Sequence, residues 1–133
     1  MDHLLDLVDV SGIRKLKIVV DAGNGMAGHT APAVFARMNV DVTEMYYELD
    51  GTFPNHEANP IDVANLQDLI KMVKKVKADI GLAFDGDADR CFLVDEKGNA
   101  VNPSLLTALI ADRELAKRPG SPVIYNLISS RAV

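Results

Sequence analysis

Two apolar runs that lie only six residues apart constrain the fold of this chain more than any other feature. Ile80–Phe84 (IGLAF) and Cys91–Asp95 (CFLVD) each have the length and composition of a short strand. A parallel connection between neighbouring strands needs about a dozen or more residues, so these two strands must be antiparallel if they are neighbours. The spacing therefore predicts a strand–loop–strand unit whose loop is DGDADR, residues 85–90.

The rest of the chain alternates predicted strands with stretches of helical periodicity. The predicted strands are Lys17–Ala22 and Val40–Tyr47, and the predicted helices are Met26–Met38, residues 63–78 and Pro103–Lys117. Asn102 followed by Pro103 is typical of a helix start. This order predicts a three-layer α/β/α sandwich with a mixed, mainly parallel four-stranded sheet whose fourth strand is antiparallel.

Composition limits the classes of protein to which the chain can belong. Its 133 residues suffice for one domain with a core. The net charge of −5 argues against a broad nucleic-acid surface, and no apolar run approaches the roughly 20 residues of a membrane span. The single cysteine permits no internal disulfide, which suits a reducing cytoplasm. We therefore expect a cytoplasmic protein with neither a nucleic-acid nor a membrane partner.

The loop DGDADR carries the strongest chemical signal. Asp85, Asp87 and Asp89 stand at every second position of a tight loop, where their charges would repel one another. A divalent cation relieves that repulsion, and carboxylate oxygens favour Mg²⁺, Mn²⁺ or Ca²⁺ over Zn²⁺. Three carboxylates leave Mg²⁺ short of six ligands, so water or a phosphate oxygen can complete the site. The planar guanidinium of Arg90 is suited to bidentate contact with such a phosphate.

Two other interpretations of the loop are open from the residues alone. It could be a solvated acidic turn, since Asp and Gly are common in loops. Counted from Asp85, it also imitates a calcium EF-hand loop, with acids at positions 1, 3, 5 and 12. The imitation fails at position 6, where Arg90 replaces the glycine of the sharp turn, and apolar strands rather than helices flank the loop.

The stretch from Phe84 to Arg90 resembles the metal loop of the phosphoglucomutase/phosphomannomutase, or phosphohexomutase, family. Three further stretches are similar to segments of the family in the same order: residues 20–28 (VDAGNGMAG), residues 51–56 (GTFPNH) and residues 125–131 (YNLISSR). The resemblance thus covers nearly the whole chain. It implies that residues 1–118 are the second domain of such an enzyme and that residues 119–133 are a linker and the first strand of a third domain.

The resemblance also implies a function. Members are isomerases that interconvert hexose 1-phosphate and hexose 6-phosphate, an intramolecular phosphoryl transfer through a phosphoserine and a bisphosphate intermediate. By this resemblance Asp85, Asp87 and Asp89 bind Mg²⁺ together with an oxygen of the phosphoserine, and Arg90 contacts the phosphate. Recognition of the hexose phosphate, including the choice between mannose, glucose and glucosamine, lies mostly on other domains.

No Ser-His-Asn stretch of the family's nucleophile loop occurs in the chain, so we expect the isolated chain to be inactive. The alternative function is a non-catalytic module that binds divalent cations or phosphate. Val123–Ile128 predicts a strand without a sheet of its own, and such a strand could mediate self-association.

Three other features receive structural interpretations. His56 is predicted to make hydrogen bonds within the loop at residues 50–60, which contains two prolines. Gly23-Asn24-Gly25 is predicted to be a turn rather than an anion site. Cys91 is predicted to be a small buried apolar residue, although the neighbouring Arg90 could lower the pKa of its thiol.

Overall fold

The computed structural model describes residues 2–127 and 129–130. The described residues fall into two compact units, one within residues 1–100 and one within residues 101–133. The helices and strands are α1 Asp2–Leu7, β1 Leu16–Asp21, α2 Ala27–Phe35, β2 Val40–Met45, α3 Gln67–Val76, β3 Ile80–Phe84, β4 Cys91–Asp95 and α4 Pro103–Lys117. A 3-10 turn, Val63–Leu66, leads directly into α3. The domain boundary predicted after residue 118 stays a prediction.

The four strands form one mixed sheet in the order β2-β1-β3-β4. β1 is parallel to both β2 and β3, while β4 is antiparallel to β3. The connection from β1 to β2 crosses the sheet in one direction and that from β2 to β3 in the other. Right-handed crossovers therefore place α2 and α3 on opposite faces. The predicted three-layer α/β/α fold is confirmed.

The packing of α3 on the sheet supplies the largest apolar cluster of the first unit. Leu69 and Val73 of α3 are fully buried against Val19 of β1 and Val94 of β4. Burial of each such side chain stabilises the fold by roughly 1.5–3 kcal/mol. The opposite side of β1 is buried as well, because the neighbouring Val20 is as inaccessible as Val19. β1 is therefore an interior strand that is buried on both faces of the sheet.

The parallel arrangement gathers three chain segments at one edge of the sheet. β1 ends at Asp21, paired with Ala83 of β3 and with Met45 of β2. The residues that follow these strands must therefore emerge at the same edge. They are the turn at residues 22–26, the loop at residues 46–62 and the acidic loop at residues 85–90, so the sheet topology places all three beside one another.

Asn102 begins α4 as predicted. Its side-chain Oδ1 accepts a hydrogen bond of 2.9 Å from the backbone N–H of Ser104, and Pro103 occupies the first turn. Within α4, all of which the structure describes, no residue is buried. None of the described helices combines the length and apolarity that a membrane span requires.

The structure differs from the sequence-based expectations at the two ends. α1 was not predicted, because its leucines and aspartates form no long periodic pattern. The strand predicted at Val123–Ile128 is absent over residues 123–127 of this chain, while Ile128 lies outside the described residues. Its assignment as the first strand of a third domain stays a prediction. Apolar, β-branched composition favours a strand only where another strand can pair with its backbone, and none of the described strands pairs with this segment.

Candidate metal centre

The acidic loop is a direct continuation of the β3–β4 pair. Phe84 and Cys91 form the last pair of the ladder, and the backbone N–H of Asp85 then donates to the carbonyl oxygen of Arg90 over 3.3 Å. Inside the loop, Ala88 donates its N–H to the carbonyl of Asp85 over 3.1 Å and adopts a left-handed conformation with φ of +63°. These bonds make residues 85–90 a compact turn, and the small side chain of Ala88 limits the strain of that conformation.

The turn brings the three predicted carboxylates together. One oxygen from each of Asp85, Asp87 and Asp89 lies within 4.8 Å of the other two. Asp85 is buried with 1% of its surface exposed, whereas Asp87 and Asp89 face solvent. An all-oxygen set of this kind has the chemistry of a site for a hard divalent cation, so these residues could hold a metal ion.

Arg90 is the counter-charge of the buried carboxylate. Its Nε donates to Asp85 Oδ2 over 2.6 Å, and its backbone N–H donates to Asp85 Oδ1 over 3.1 Å. A longer bond of 3.3 Å joins Nε to Asp89 Oδ1. Among the described residues neither Nη nitrogen of Arg90 has a hydrogen-bond partner, and 54% of its side chain is exposed. The guanidinium thus holds Asp85 with one edge and leaves the other edge accessible.

The interaction with Arg90 decides the pKa of Asp85. Burial acts to raise the pKa of this carboxyl, but the hydrogen bonds and positive charge of Arg90 outweigh burial and lower it below its ordinary value. The charges of the three carboxylates were expected to repel one another. At Asp85 the arginine of the same loop offsets that repulsion.

The turn after β1 packs directly against the backbone of the acidic loop. Met26 donates its backbone N–H to the carbonyl oxygen of Gly86 over 2.9 Å. A Cβ atom on Gly25 would lie 2.6 Å from that same oxygen, so only glycine permits the two backbones to approach this closely. Gly23 and Asn24 both have positive φ, so the predicted turn at Gly23-Asn24-Gly25 is present, while its exclusion as an anion site stays a prediction.

The loop at residues 46–62 also rests on this turn. Asn24 donates from Nδ2 to the carbonyl of Glu48 over 2.9 Å, and its Oδ1 accepts from Asn55 Nδ2 over 2.7 Å. Further along, His56 Nε2 lies 3.0 Å from Asp21 Oδ2, and His56 Nδ1 lies 2.9 Å from the carbonyl oxygen of Glu57. The prediction that His56 makes hydrogen bonds in the loop is confirmed.

The sequence did not identify Asp21 as the partner of His56. Asp21 is 1% exposed at the end of β1, and burial raises the pKa of its carboxyl although the charge of His56 opposes that rise. The sequence signal that could have identified Asp21 was its place as an acidic residue at the end of a run of β-branched apolar residues. An acid at that place, buried on both sides by parallel neighbours, requires a partner.

The prediction that Cys91 is buried is wrong, because the residue is exposed. It lies on β4, the last strand at one edge of the sheet that the described residues form. Partial burial of the thiol and the negative charge of Asp85 raise the pKa of Cys91 to about 11. The lowering that Arg90 could have produced does not occur, because that arginine is already paired with Asp85.

The strands that flank the acidic loop settle the EF-hand interpretation. β3 and β4 enter and leave the loop, whereas an EF-hand loop joins two helices. The described structure therefore presents a carboxylate cluster on a β-hairpin loop, backed by a glycine-containing turn and by the loop at residues 46–62.

Comparison with known proteins gives consistent results. A family model described as phosphoglucomutase/phosphomannomutase, alpha/beta/alpha domain II, matches residues 1–98. A phosphomannomutase/phosphoglucomutase of Pseudomonas syringae is 46% identical over 92% of this chain and 26% of its own length. A phosphoglucomutase of Neisseria gonorrhoeae is 42% identical over 98% of this chain and 28% of its own.

A solved structure, a phosphoglucomutase/phosphomannomutase family protein from Burkholderia thailandensis, superposes with a TM-score of 0.89 at 39% identity. That match covers 98% of this chain and 29% of the solved chain. The present chain thus spans about a quarter of the length of the curated relatives it matches.

Proposed function

Because this chain belongs to the phosphoglucomutase/phosphomannomutase family, we propose that it is the metal-binding domain of a phosphohexomutase. The parent enzyme would interconvert hexose 1-phosphate and hexose 6-phosphate. The observation that carries the proposal is the cluster of three aspartates, with one oxygen of each within 4.8 Å of the others, on a hairpin loop of the matched domain. Asp85 is buried and paired with Arg90, so the loop is not the solvated acidic turn of the first alternative.

Asp85, Asp87 and Asp89 would hold Mg²⁺. Their donors are all hard oxygens, which suits Mg²⁺ and disfavours Zn²⁺. When bound, the ion supplies a Lewis acid that neutralises negative charge on a phosphoryl oxygen. Asp85 is already oriented by two hydrogen bonds from Arg90, while the exposed Asp87 and Asp89 can adjust to the ion.

Arg90 would bridge the metal site and the phosphate. Its Nε is occupied by Asp85, and this contact fixes the plane of the guanidinium. The Nη edge would then offer two donors in a fixed geometry to a pair of phosphate oxygens. In this role Arg90 is a phosphate contact that is oriented by one of the metal ligands.

The chemical step belongs to the parent enzyme rather than to this chain. A serine phosphate on another domain would be transferred to the free hydroxyl of the hexose phosphate, giving a bisphosphate. The other phosphate would return to the serine, so that phosphate is conserved over the cycle. The cytoplasm suits such an enzyme, since its one cysteine in this domain needs no oxidising compartment.

The test has two parts. Titration of this chain with Mn²⁺, followed by water-proton relaxation, should show weak binding, since the serine phosphate that completes the site is absent. In a coupled assay the full-length protein should convert glucose 1-phosphate, mannose 1-phosphate or both. This chain alone should convert neither. Tight, calcium-selective binding, or turnover by this chain alone, would contradict the proposal.

The same assay separates the alternative of a non-catalytic module. In the full-length protein, Asp87→Asn should abolish most turnover, while Glu96→Gln should leave it unchanged. Glu96 offers a matched control because it is an exposed acid just beyond β4 and outside the cluster. A full-length protein that binds Mn²⁺ but turns over no hexose phosphate would favour the module.

A further inference from the structure

A buried pair, Asp21 and His56, joins the end of β1 to the loop at residues 46–62. Asp21 has 1% of its side chain exposed and His56 has 15%. Asp21 uses both oxygens, since Oδ1 accepts from the backbone N–H of Gly23 over 2.9 Å and Oδ2 lies 3.0 Å from His56 Nε2. The carboxylate therefore holds the turn after β1 and the loop at the same time.

The hydrogen bonds restrict where the protons of this pair can be. A carbonyl oxygen can only accept, so the 2.9 Å contact between His56 Nδ1 and the Glu57 carbonyl requires a proton on Nδ1. One further proton must then lie between Nε2 and Asp21 Oδ2, on the ring or on the carboxyl. In both states a hydrogen bond joins the two residues. The link between them therefore does not require that they carry opposite charges.

The loop that this pair holds lies directly against the acidic loop. A Cβ atom on Gly86 would be 3.4 Å from the ring of Phe53 and 3.8 Å from the Cβ of Ala58. Ala58 is two residues from His56 and packs beside Gly23 as well. From the other side, Met26 donates to the Gly86 carbonyl over 2.9 Å. Gly86 is thus enclosed between the turn after β1 and the loop.

Gly86 stands between two of the proposed metal ligands, Asp85 and Asp87. A shift of its backbone would change the separation of their carboxylates, and ligands for Mg²⁺ must meet a near-octahedral geometry. Contacts that act through the ligands typically change metal affinity by about 10–100-fold when they are lost.

We propose that Asp21 and His56 are positioning residues for the metal site, which hold the loop against Gly86 and thereby set the spacing of the three aspartates. The proposal rests on the function proposed above. Both residues lie far from the acidic motif in sequence and outside the cluster of three carboxylates.

Three variants of the 133-residue chain test it. His56→Ala removes both bonds of the ring. Asp21→Asn keeps them, because its Oδ1 still accepts from Gly23 and its Nδ2 donates to Nε2 of a neutral His56. Val73→Ala, a truncation of a fully buried side chain in α3, supplies a loss of core stability that leaves both residues of the pair in place.

Two measurements are made on each variant. The first is the amide chemical shifts of residues 85–90 by NMR without metal, and the second is the Mn²⁺ dissociation constant by relaxation. We expect His56→Ala to displace the shifts of residues 85–90 and to weaken Mn²⁺ binding about tenfold. Asp21→Asn and Val73→Ala should retain the chemical shifts of these residues. Their Mn²⁺ dissociation constants should lie within about twofold of the wild-type value, which is small compared with the loss of about tenfold expected for His56→Ala.

The outcomes separate the proposal from its premise. If His56→Ala matches Val73→Ala in both measurements, or if Asp21→Asn behaves like His56→Ala, the proposal is overturned. If the wild-type chain binds no Mn²⁺, the proposed function fails for this chain, while the metal-free shifts still decide whether the pair positions the loop. Should His56→Ala not fold, Ala58→Gly removes the methyl group beside Gly86, and unchanged shifts of residues 85–90 in that variant would overturn the proposal.

Discussion

The three aspartates of the acidic loop differ in what surrounds them. Asp85 is buried and accepts two hydrogen bonds from Arg90, whereas Asp87 and Asp89 are exposed. Removal of a buried, paired carboxylate leaves an uncompensated arginine, while removal of an exposed one leaves only solvent. At the residue scale, variants of this loop should therefore separate into those that affect metal binding alone and those that also affect the fold.

Asp87→Asn belongs to the first group. The change removes one ligand charge and some repulsion within the cluster, so Mn²⁺ affinity should fall by at least about tenfold while the melting temperature is kept or slightly raised. Calorimetric titration together with thermal unfolding measures both quantities. Glu96→Gln is the matched control and should change neither, and a large loss of stability in Asp87→Asn would contradict this account of the loop.

Arg90→Ala belongs to the second group. Arg90 is an exposed residue of the loop, but its Nε holds the buried Asp85. Its loss should raise the pKa of Asp85 and lower the melting temperature more than Arg113→Ala, an arginine on the solvent-exposed helix α4. Added Mg²⁺ should recover part of that loss by replacing the missing positive charge. Equal melting temperatures for the two variants would show that the Arg90–Asp85 pair does not stabilise the fold.

At the scale of elements, contacts join the neighbouring strands β1 and β3 at both their carboxyl ends and their amino ends. At the carboxyl ends lie the turn and loops described above. At the amino ends, Asp79 accepts from the backbone N–H of Lys17 over 2.8 Å and from Arg14 Nη2 over 2.7 Å. The two strands are thus joined by a side chain just before β3 begins, which supports their parallel register.

Asp79 gives this junction a pH dependence. The hydrogen bond from Arg14, followed by that from Lys17, lowers the pKa of Asp79 below its ordinary value. A depressed pKa in the folded state stabilises the fold above the unfolded-state pKa of about 3.9, and the contribution is lost as the pH falls through the folded-state pKa.

The stability advantage of the wild-type chain over Asp79→Asn should therefore be full near about pH 6, should begin to shrink as the pH falls through the unfolded-state pKa of about 3.9, and should be lost below the lowered folded-state pKa of Asp79. Urea unfolding at a series of pH values measures the difference. An advantage that stays constant across this range would show that the carboxylate of Asp79 does not act through its charge.

At the scale of the whole molecule, the segment after α4 exposes much apolar surface. Ile124 is 95% exposed and Leu127 is 100% exposed. Exposed apolar side chains in close succession promote association between molecules. The predicted strand is absent over residues 123–127, but its apolar composition still makes the segment a candidate for self-association.

Deletion of residues 120–133 should leave the free energy of unfolding within about 0.5 kcal/mol of the full chain, because the exposed side chains contribute little to a core. Self-association at high concentration, measured by sedimentation equilibrium, should decrease. The double change Ile124→Asp and Leu127→Asp should have the same effect without shortening the chain. If the deletion instead unfolds the protein, the segment belongs to the core and the predicted boundary after residue 118 is wrong.

Local patterns alone determined much of this protein. The spacing of IGLAF and CFLVD decided that β3 and β4 are antiparallel, because six residues cannot make a parallel crossover. The spacing of Asp85, Asp87 and Asp89 likewise brought their carboxylates together, since a tight loop leaves them no room to separate. Asn102 and Pro103 marked the start of α4 because helix-start chemistry acts over a few residues.

Other features depended on contacts between residues distant in sequence, and only the tertiary structure decided them. Asp21 and His56 are 35 positions apart and meet because parallel strands end at one edge of the sheet. Cys91 is exposed because β4 lies at the edge of the sheet, which its composition does not reveal. The apolar segment after α4 forms no strand over residues 123–127, because a strand requires a partner for its backbone and composition cannot supply one.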